Sequence, residues 1–240
     1  MESYCVRARN TAPDSENRIH DDQTAAAYGF RAGLVPGVTV YGYLTVPVID
    51  RFGEDWLARG GIRARFLQPV YDGEEVVVEL TGNNVTAARA DGTVCATGEV
   101  FWPEDAPPSL ALYPQEPLPA VRPPASAESL TPGRVLGTLY ANLPSPDPAA
   151  LLTLSNHVLM QNVQLGPWIH VSSEVRHFSL ARAGDRLAVR AAWRSDSSAK
   201  AISSWWWTSS WLPAASGSSS KYATRRFTNF AIAPADRIEA

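Results

Sequence analysis

Apolar positions gather into one long run, Val38 to Phe52 (VTVYGYLTVPVIDRF), followed by a series of short alternating segments. A helix apolar on nearly every face is a buried helix. The β-branched residues and Pro47 in the run weigh against helix, so the pattern by itself leaves both readings open. Alternation over Ile62–Leu67, Glu75–Thr81, Val85–Ala90 and Val94–Trp102 predicts four strands, with Asp72-Gly73 and Asp91-Gly92 as turns. Ahead of the run, Tyr4 to Arg9 alternates weakly and predicts an opening strand. The alanines between Asp21 and Tyr28 predict a short helix, ended by Gly29 as cap.

A proline-rich stretch, Pro103 to Pro124, cannot continue a sheet, because each proline removes a ladder donor. It reads as an extended linker. Beyond it the first pattern returns. Pro148 to Val163 (PAALLTLSNHVLMQNV) predicts a helix with an apolar face. Val175-Arg176-His177 and Gly184-Asp185-Arg186-Leu187 echo Ala64-Arg65-Phe66 and Gly73-Glu74-Glu75-Val76 at one offset. This internal repeat predicts two similar units, residues 1–102 and 133–194, joined by a linker over 103–132.

From Ser195 the pattern fails. Eleven serines fall between Ser195 and Ser220, beside Trp205-Trp206-Trp207 and Trp211, and no alternation survives where the repeat calls for two or three more strands. A disordered serine-rich tail rarely carries a tryptophan triplet. A frameshift accounts for it better, because the single tryptophan codon read two bases later gives a valine-rich segment. On that reading residues 195–240 are a frameshift product, and the second unit is truncated with an exposed sheet edge.

Composition narrows the possible roles. The chain has 240 residues and a net charge of −3, which gives no reason to expect nucleic acid or an anionic membrane as partner. Two cysteines, Cys5 and Cys95, are too few for a disulfide framework. No apolar run reaches membrane-span length and no signal-peptide pattern opens the chain, so a reducing cytoplasm is the expected location. His170 and His177 have no Cys or carboxylate at ligand spacing, so no metal is expected. Nor is any other cofactor. No nucleophile-elbow glycines surround Ser155 or Ser172, which disfavours serine-hydrolase chemistry.

The candidate chemistry lies in Asn17 to Tyr43 (NRIHDDQTAAAYGFRAGLVPGVTVYGY). His20 sits between a polar turn and the alanine helix, with Pro36-Gly37 at the start of the apolar run. The segment resembles the hydratase motif of MaoC-like (R)-specific enoyl-CoA hydratases, roughly Asp-x-Asn-Pro-(Leu/Ile/Val)-His, an alanine-rich helix, then a Gly turn opening a long central helix. Asn17, Ile19, His20, Ala25, Gly29 and Gly37 match. Arg18 replaces the proline, Pro36 stands where a histidine usually precedes the glycine, and Ser15 occupies the slot of the catalytic Asp, with Asp14 displaced by one.

Arg65-Phe66-Leu67-Gln68-Pro69-Val70-Tyr71-Asp72-Gly73-Glu74 resembles the strand–turn–strand that follows the helix in the same family. The resemblance implies an α+β, tandem (double) hot-dog fold with antiparallel sheets wrapped around long central helices. It also makes Val38–Phe52 helical. The implied oligomeric state is a monomeric pseudo-dimer or a homodimer.

The implied activity is reversible hydration of a trans-2-enoyl-CoA to the (R)-3-hydroxyacyl-CoA, on a thioester carried by CoA or acyl carrier protein. His20 would be general base and acid, and Asn17 would orient it; otherwise His20 is a surface turn histidine and Asn17 a helix cap. The Gly37 N–H would face the thioester oxygen, with Val38 beginning the acyl-pocket wall. The acid is the gap, since Ser15 has no useful basicity near neutral pH; Asp14, through a shifted turn, or Glu16 would have to fill the role. Asp21 and Asp22 fall in a first helical turn, where acidic residues favour the dipole. The second unit, lacking the motif, would supply structure and tunnel wall. Two alternatives stand beside hydration: an acyl-CoA-binding protein without turnover, and a hot-dog thioesterase using Glu54 or Asp50.

Overall fold

The structure is a computed structural model that describes residues 2–104, 106, 113–126, 128–195, 205–213 and 223–232. The first half runs β1 (Glu2–Arg7), α1 (Asp22–Ala27), α2 (Gly37–Arg59), β2 (Gly61–Phe66), β3 (Glu75–Thr81), β4 (Asn84–Arg89) and β5 (Val94–Phe101). The second runs β6 (Leu139–Asn142), α3 (Pro148–Asn162), β7 (Trp168–Arg176), β8 (Arg186–Ser195), β9 (Trp205–Pro213) and β10 (Ala223–Ile232). All ten strands form one antiparallel sheet in the order β1-β3-β4-β5-β2-β7-β10-β9-β8-β6. Read inward from either edge, the two halves have the same connectivity, and they meet where β2 pairs with β7. This is the α+β tandem hot-dog expected.

The central helix α2 settles the ambiguity of the apolar run. Val40, Tyr41, Leu44, Thr45, Pro47 and Val48 are buried, a spacing that puts them on one side of a helix. Burial against the sheet outweighs the propensity of the β-branched residues, and Pro47 sits inside the helix. The break falls later, at Gly53, whose φ of 60° only glycine adopts readily. The first residue of β2, Gly61, sits at the junction of the two halves. A Cβ on Gly61 would lie 2.7 Å from the Val175 carbonyl oxygen, so glycine is what lets the two halves pair at their junction.

The region after Ser195 corrects the expectation of a truncated second unit. The backbone of β9 pairs with β8 and β10, and β10 pairs with β7, occupying the places that β4 and β5 hold in the first half. The chain as written supplies the missing strands, so a frameshift finds no support. Alternation reports which face of a strand is buried, whereas pairing needs only backbone donors and acceptors. Trp, Phe and Thr suit that pairing well. The described residues of Pro103–Pro124 lie outside the named strands, and part of the segment docks. Pro124 bridges Gln164 in parallel, and the Arg122 guanidinium donates to the Met160 carbonyl at 2.7 Å.

Candidate functional site

The Asn17–His20 segment forms a 3-10 turn, Arg18–His20, lying against the start of β7. Asn17 holds it there from both ends of its amide. Its Nδ2 donates to the Trp168 carbonyl at 2.9 Å, and its Oδ1 accepts from the Trp168 N–H at 3.1 Å. A side chain that completes a strand's backbone pairing in this way fixes position closely, and Asn17 is buried accordingly. It also accepts weakly from the Ile19 N–H, at 3.5 Å. The cap of α1 is Asp21, whose Oδ1 accepts from the Thr24 N–H, while Asp22 accepts from the Gly33 N–H. Both aspartates are thus structural anchors.

His20 is held by its other nitrogen. Nδ1–H donates to the Leu34 carbonyl at 2.7 Å, which leaves Nε2 as the basic atom. The Asn17 Nδ2 stands 3.3 Å from Nε2, a long contact that a stronger donor can displace. Burial pushes the His20 pKa below its usual value, against the pull of the Leu34 carbonyl, so the ring is neutral at pH 7.

Opposite the turn lies the N-terminus of α2. Its N-cap is Pro36, with no side-chain cap bond, so the first turn keeps its positive dipole end. Gly37 is dictated by close approach, since a Cβ there would lie 2.6 Å from the Cβ of His170 on β7. His170 is buried beside the Phe66 ring (centroids 4.8 Å apart), and its Nε2 lies 2.6 Å from the Ser173 hydroxyl. Burial holds its pKa down at about 4 despite the Ser172 backbone, so it too is neutral.

These groups line one cavity of about 560 Å3, a volume in the range of small-molecule sites. His20, Asn17, Ser15, Gly37 and Val38 all contribute to its wall. Asp14 does not. It is exposed and absent from the lining. Glu16 is exposed as well and taken up by Arg122, at 2.7 and 3.0 Å. Ser15 donates to the Asn17 carbonyl at 3.0 Å and so braces the turn. No Asp, Glu, Lys or Arg is among the lining residues. Asp50 and Glu54 are exposed, and only Gly37 to Val40 of α2 reach the cavity, which removes both carboxylates suggested for thioesterase chemistry.

Two contributions were not foreseen. His170 reaches the cavity from β7, although its sequence surroundings advertise nothing. The second helix supplies a wall through Ala149, Thr153, Asn156 and Met160, spaced as one helical face, with His157 beside them. That spacing was readable, but its direction toward the first unit's motif was not. Among the described residues no cluster suited to a metal ion occurs, and no helix is long and apolar enough to cross a membrane.

No family model matches the chain, and no curated protein does. Solved structures do. RV0216 of Mycobacterium tuberculosis, described as having a double hot-dog fold, is 12% identical at TM-score 0.58, with 96% of this chain and 95% of that one covered. The dehydratase domain of RzxB from Pseudomonas fluorescens is 12% identical at TM-score 0.54, covering 95% and 93%. A candidate oleoyl thioesterase from Lactobacillus plantarum is 13% identical at TM-score 0.56, covering 97% and 95%. At such identities the likeness establishes the fold, and the reaction has to be argued from the site.

Proposed function

We propose that this double hot-dog protein acts on an acyl thioester, hydrating a trans-2-enoyl-CoA reversibly to the (R)-3-hydroxyacyl form. The observation that carries the reading is the neutral His20 Nε2, in the same cavity as the uncapped start of α2. The thioester carbonyl would accept from the Gly37 N–H, where the helix dipole favours the charge that builds on oxygen as the enolate forms. His20 Nε2 would take a proton from water as hydroxide adds to C3. The same imidazolium would then return its proton to C2, so atoms and charge balance with one acid–base group. The Leu34 carbonyl, accepting from Nδ1–H, would steady the transient cation.

A second reading is favoured by one specific feature, the absence of any carboxylate from the cavity lining. Without an anionic neighbour the imidazolium is uncompensated, and one missing acid–base partner typically costs about 10²- to 10⁴-fold in rate. A protein that binds acyl-CoA without turnover satisfies the same geometry. The test is incubation with crotonyl-CoA, following loss of the conjugated thioester absorbance. Slow turnover that vanishes in His20→Ala supports hydration. Thermal stabilisation by acyl-CoA with no turnover supports the binder, and neither response refutes both.

A further inference from the structure

A cation stands at the mouth of the cavity, and the proposed chemistry does not use it. Thr11, Leu67, Gln68 and His157 are the lining residues exposed to solvent, so the opening lies among the Thr11–Ser15 segment, the residues just after β2, and α3. Arg122, in the docked part of the linker, ties two sides of that rim together. Its Nη1 donates to both carboxylate oxygens of Glu16, at 2.7 and 3.0 Å, and to the Met160 carbonyl at 2.7 Å. Glu16 falls between the lining residues Ser15 and Asn17, and Met160 is in the lining itself. Holding Glu16 and finishing the C-terminal end of α3 occupy a single nitrogen of the guanidinium. A guanidinium carries five N–H donors, and the Nε/Nη2 edge has no partner among the described residues, with 29% of the side chain exposed.

We propose that this edge of Arg122 binds the phosphate of a phosphopantetheine arm, the group that CoA and acyl carrier protein share, and so fixes the arm at the mouth with its thioester inside the cavity. The assignment rests on the acyl-thioester reading above. No Lys or Arg lines the cavity, so a phosphate drawn inside would be buried without compensation and has to stop at the rim. The planar Nε/Nη2 fork matches two phosphate oxygens with parallel, charge-assisted hydrogen bonds. Arg89 also reaches the lining, at the Pro69 carbonyl, but it lies between Glu74 at 3.7 Å and Asp91 at 3.8 Å, whose two carboxylates offset its charge. Glu16 acts in two directions. It holds the guanidinium in place, and its own charge repels an arriving anion. Removing Arg122 and removing the charge of Glu16 must therefore have opposite effects on phosphate binding, whereas a purely structural ion pair would respond alike to either loss.

The test is isothermal titration of the full chain with three saturated probes, which cannot be hydrated: butyryl-pantetheine, butyryl-phosphopantetheine and butyryl-CoA. Butyryl-phosphopantetheine should bind about ten-fold more tightly than butyryl-pantetheine, the equivalent of one charge-assisted hydrogen-bonded contact. In Arg122→Gln, which keeps a donor for the Met160 carbonyl, that ratio should collapse to within about two-fold. In Glu16→Gln it should rise by about two- to five-fold, as expected when one exposed like charge is removed. A further gain for butyryl-CoA over butyryl-phosphopantetheine identifies CoA as the carrier, and equal binding leaves the nucleotide outside the site; both keep Arg122 on the shared phosphate. Equal binding of the pantetheine and phosphopantetheine probes overturns the assignment, as does a ratio that survives Arg122→Gln or falls in Glu16→Gln. If no probe binds at all, the thioester reading falls and takes this inference with it. Binding without a phosphate preference sinks only the inference.

Discussion

Helices α2 and α3 hold equivalent places in the two halves of the sheet, yet their first turns are finished differently. At α3 the N-cap Asp147 accepts from the Ala149 N–H at 2.8 Å, so the helix end satisfies itself. At α2 the equivalent residue is Pro36, which has no side chain able to accept. A fixed carboxylate at the start of α3 neutralises the dipole end that a thioester oxygen would need, while the start of α2 stays available. The first half adds the Asn17–His20 turn against β7, and the second half turns a face of α3 toward it. One fold repeated twice thus sends residues from both halves to the cavity that holds the His20 turn. The difference lies in which helix end is left unsatisfied.

The comparison breaks most visibly at His20. Replacing it with alanine should lower crotonyl-CoA hydration by about 10²- to 10⁴-fold, while leaving the melting temperature within a few degrees. In the unmodified protein the rate should be full at neutral pH. It should fall only below the ordinary imidazole pKa of 6.5, because burial depresses the pKa and the neutral ring is the working form. An acid limb above 6.5 in the pH–rate profile would remove His20 from the base role.

Stability should show the next largest effect, through His170. It binds a proton in the folded protein only near pH 4, against 6.5 for the ordinary group. Between those values the unfolded chain holds more protons, so stability falls as the pH drops from 6.5 to 4. For this group the loss is about 3 kcal/mol at pH 4. Chemical denaturation at pH 7 and pH 4.5 measures it, and His170→Phe should flatten the dependence. Asn17→Leu should cost at least about 2 kcal/mol, since it leaves the Trp168 N–H and carbonyl without their partners. A loss of activity with no loss of stability would mean that Asn17 serves His20 alone.

The fold was legible in the sequence wherever periodicity met a turn. Gly73 and Gly92 take the positive φ that Asp72-Gly73 and Asp91-Gly92 implied, and the offset linking Arg65 to Arg176 anticipated the paired halves. The strands after Ser195 were illegible, because serine and tryptophan carry no alternation even where the backbone pairs. The residues lining the candidate site followed the same division. His20, Asn17 and Gly37 belong to one contiguous segment. His170 and Asn156 reach the cavity from the second half, 150 and 136 positions beyond His20 in the numbering, and only tertiary packing brings them there. Asp14 lies outside the cavity lining for a local reason, because the turn that buries Asn17 leaves Asp14 in solvent.

The smallest expected effect is the sharpest test of the comparison. Pro36→Asp would give α2 the cap that Asp147 gives α3, its carboxylate accepting from the Val38 N–H as Asp147 does from Ala149. A good N-cap stabilises by about 1 kcal/mol, so the variant should unfold at slightly higher denaturant. It should also turn over crotonyl-CoA more slowly and bind acyl-CoA less tightly, because a fixed negative charge would stand where the thioester oxygen must develop its own. The opposite variant, Asp147→Ala, should lose about 1 kcal/mol and leave thioester binding untouched, since α3 begins outside the cavity and enters its wall only from Ala149. A gain in stability joined to a loss of binding in the first variant alone would show that function depends on α2 being left uncapped. Equal responses in the two variants would mean that the helix ends play no part in recognition, and that the asymmetry between the halves has another source.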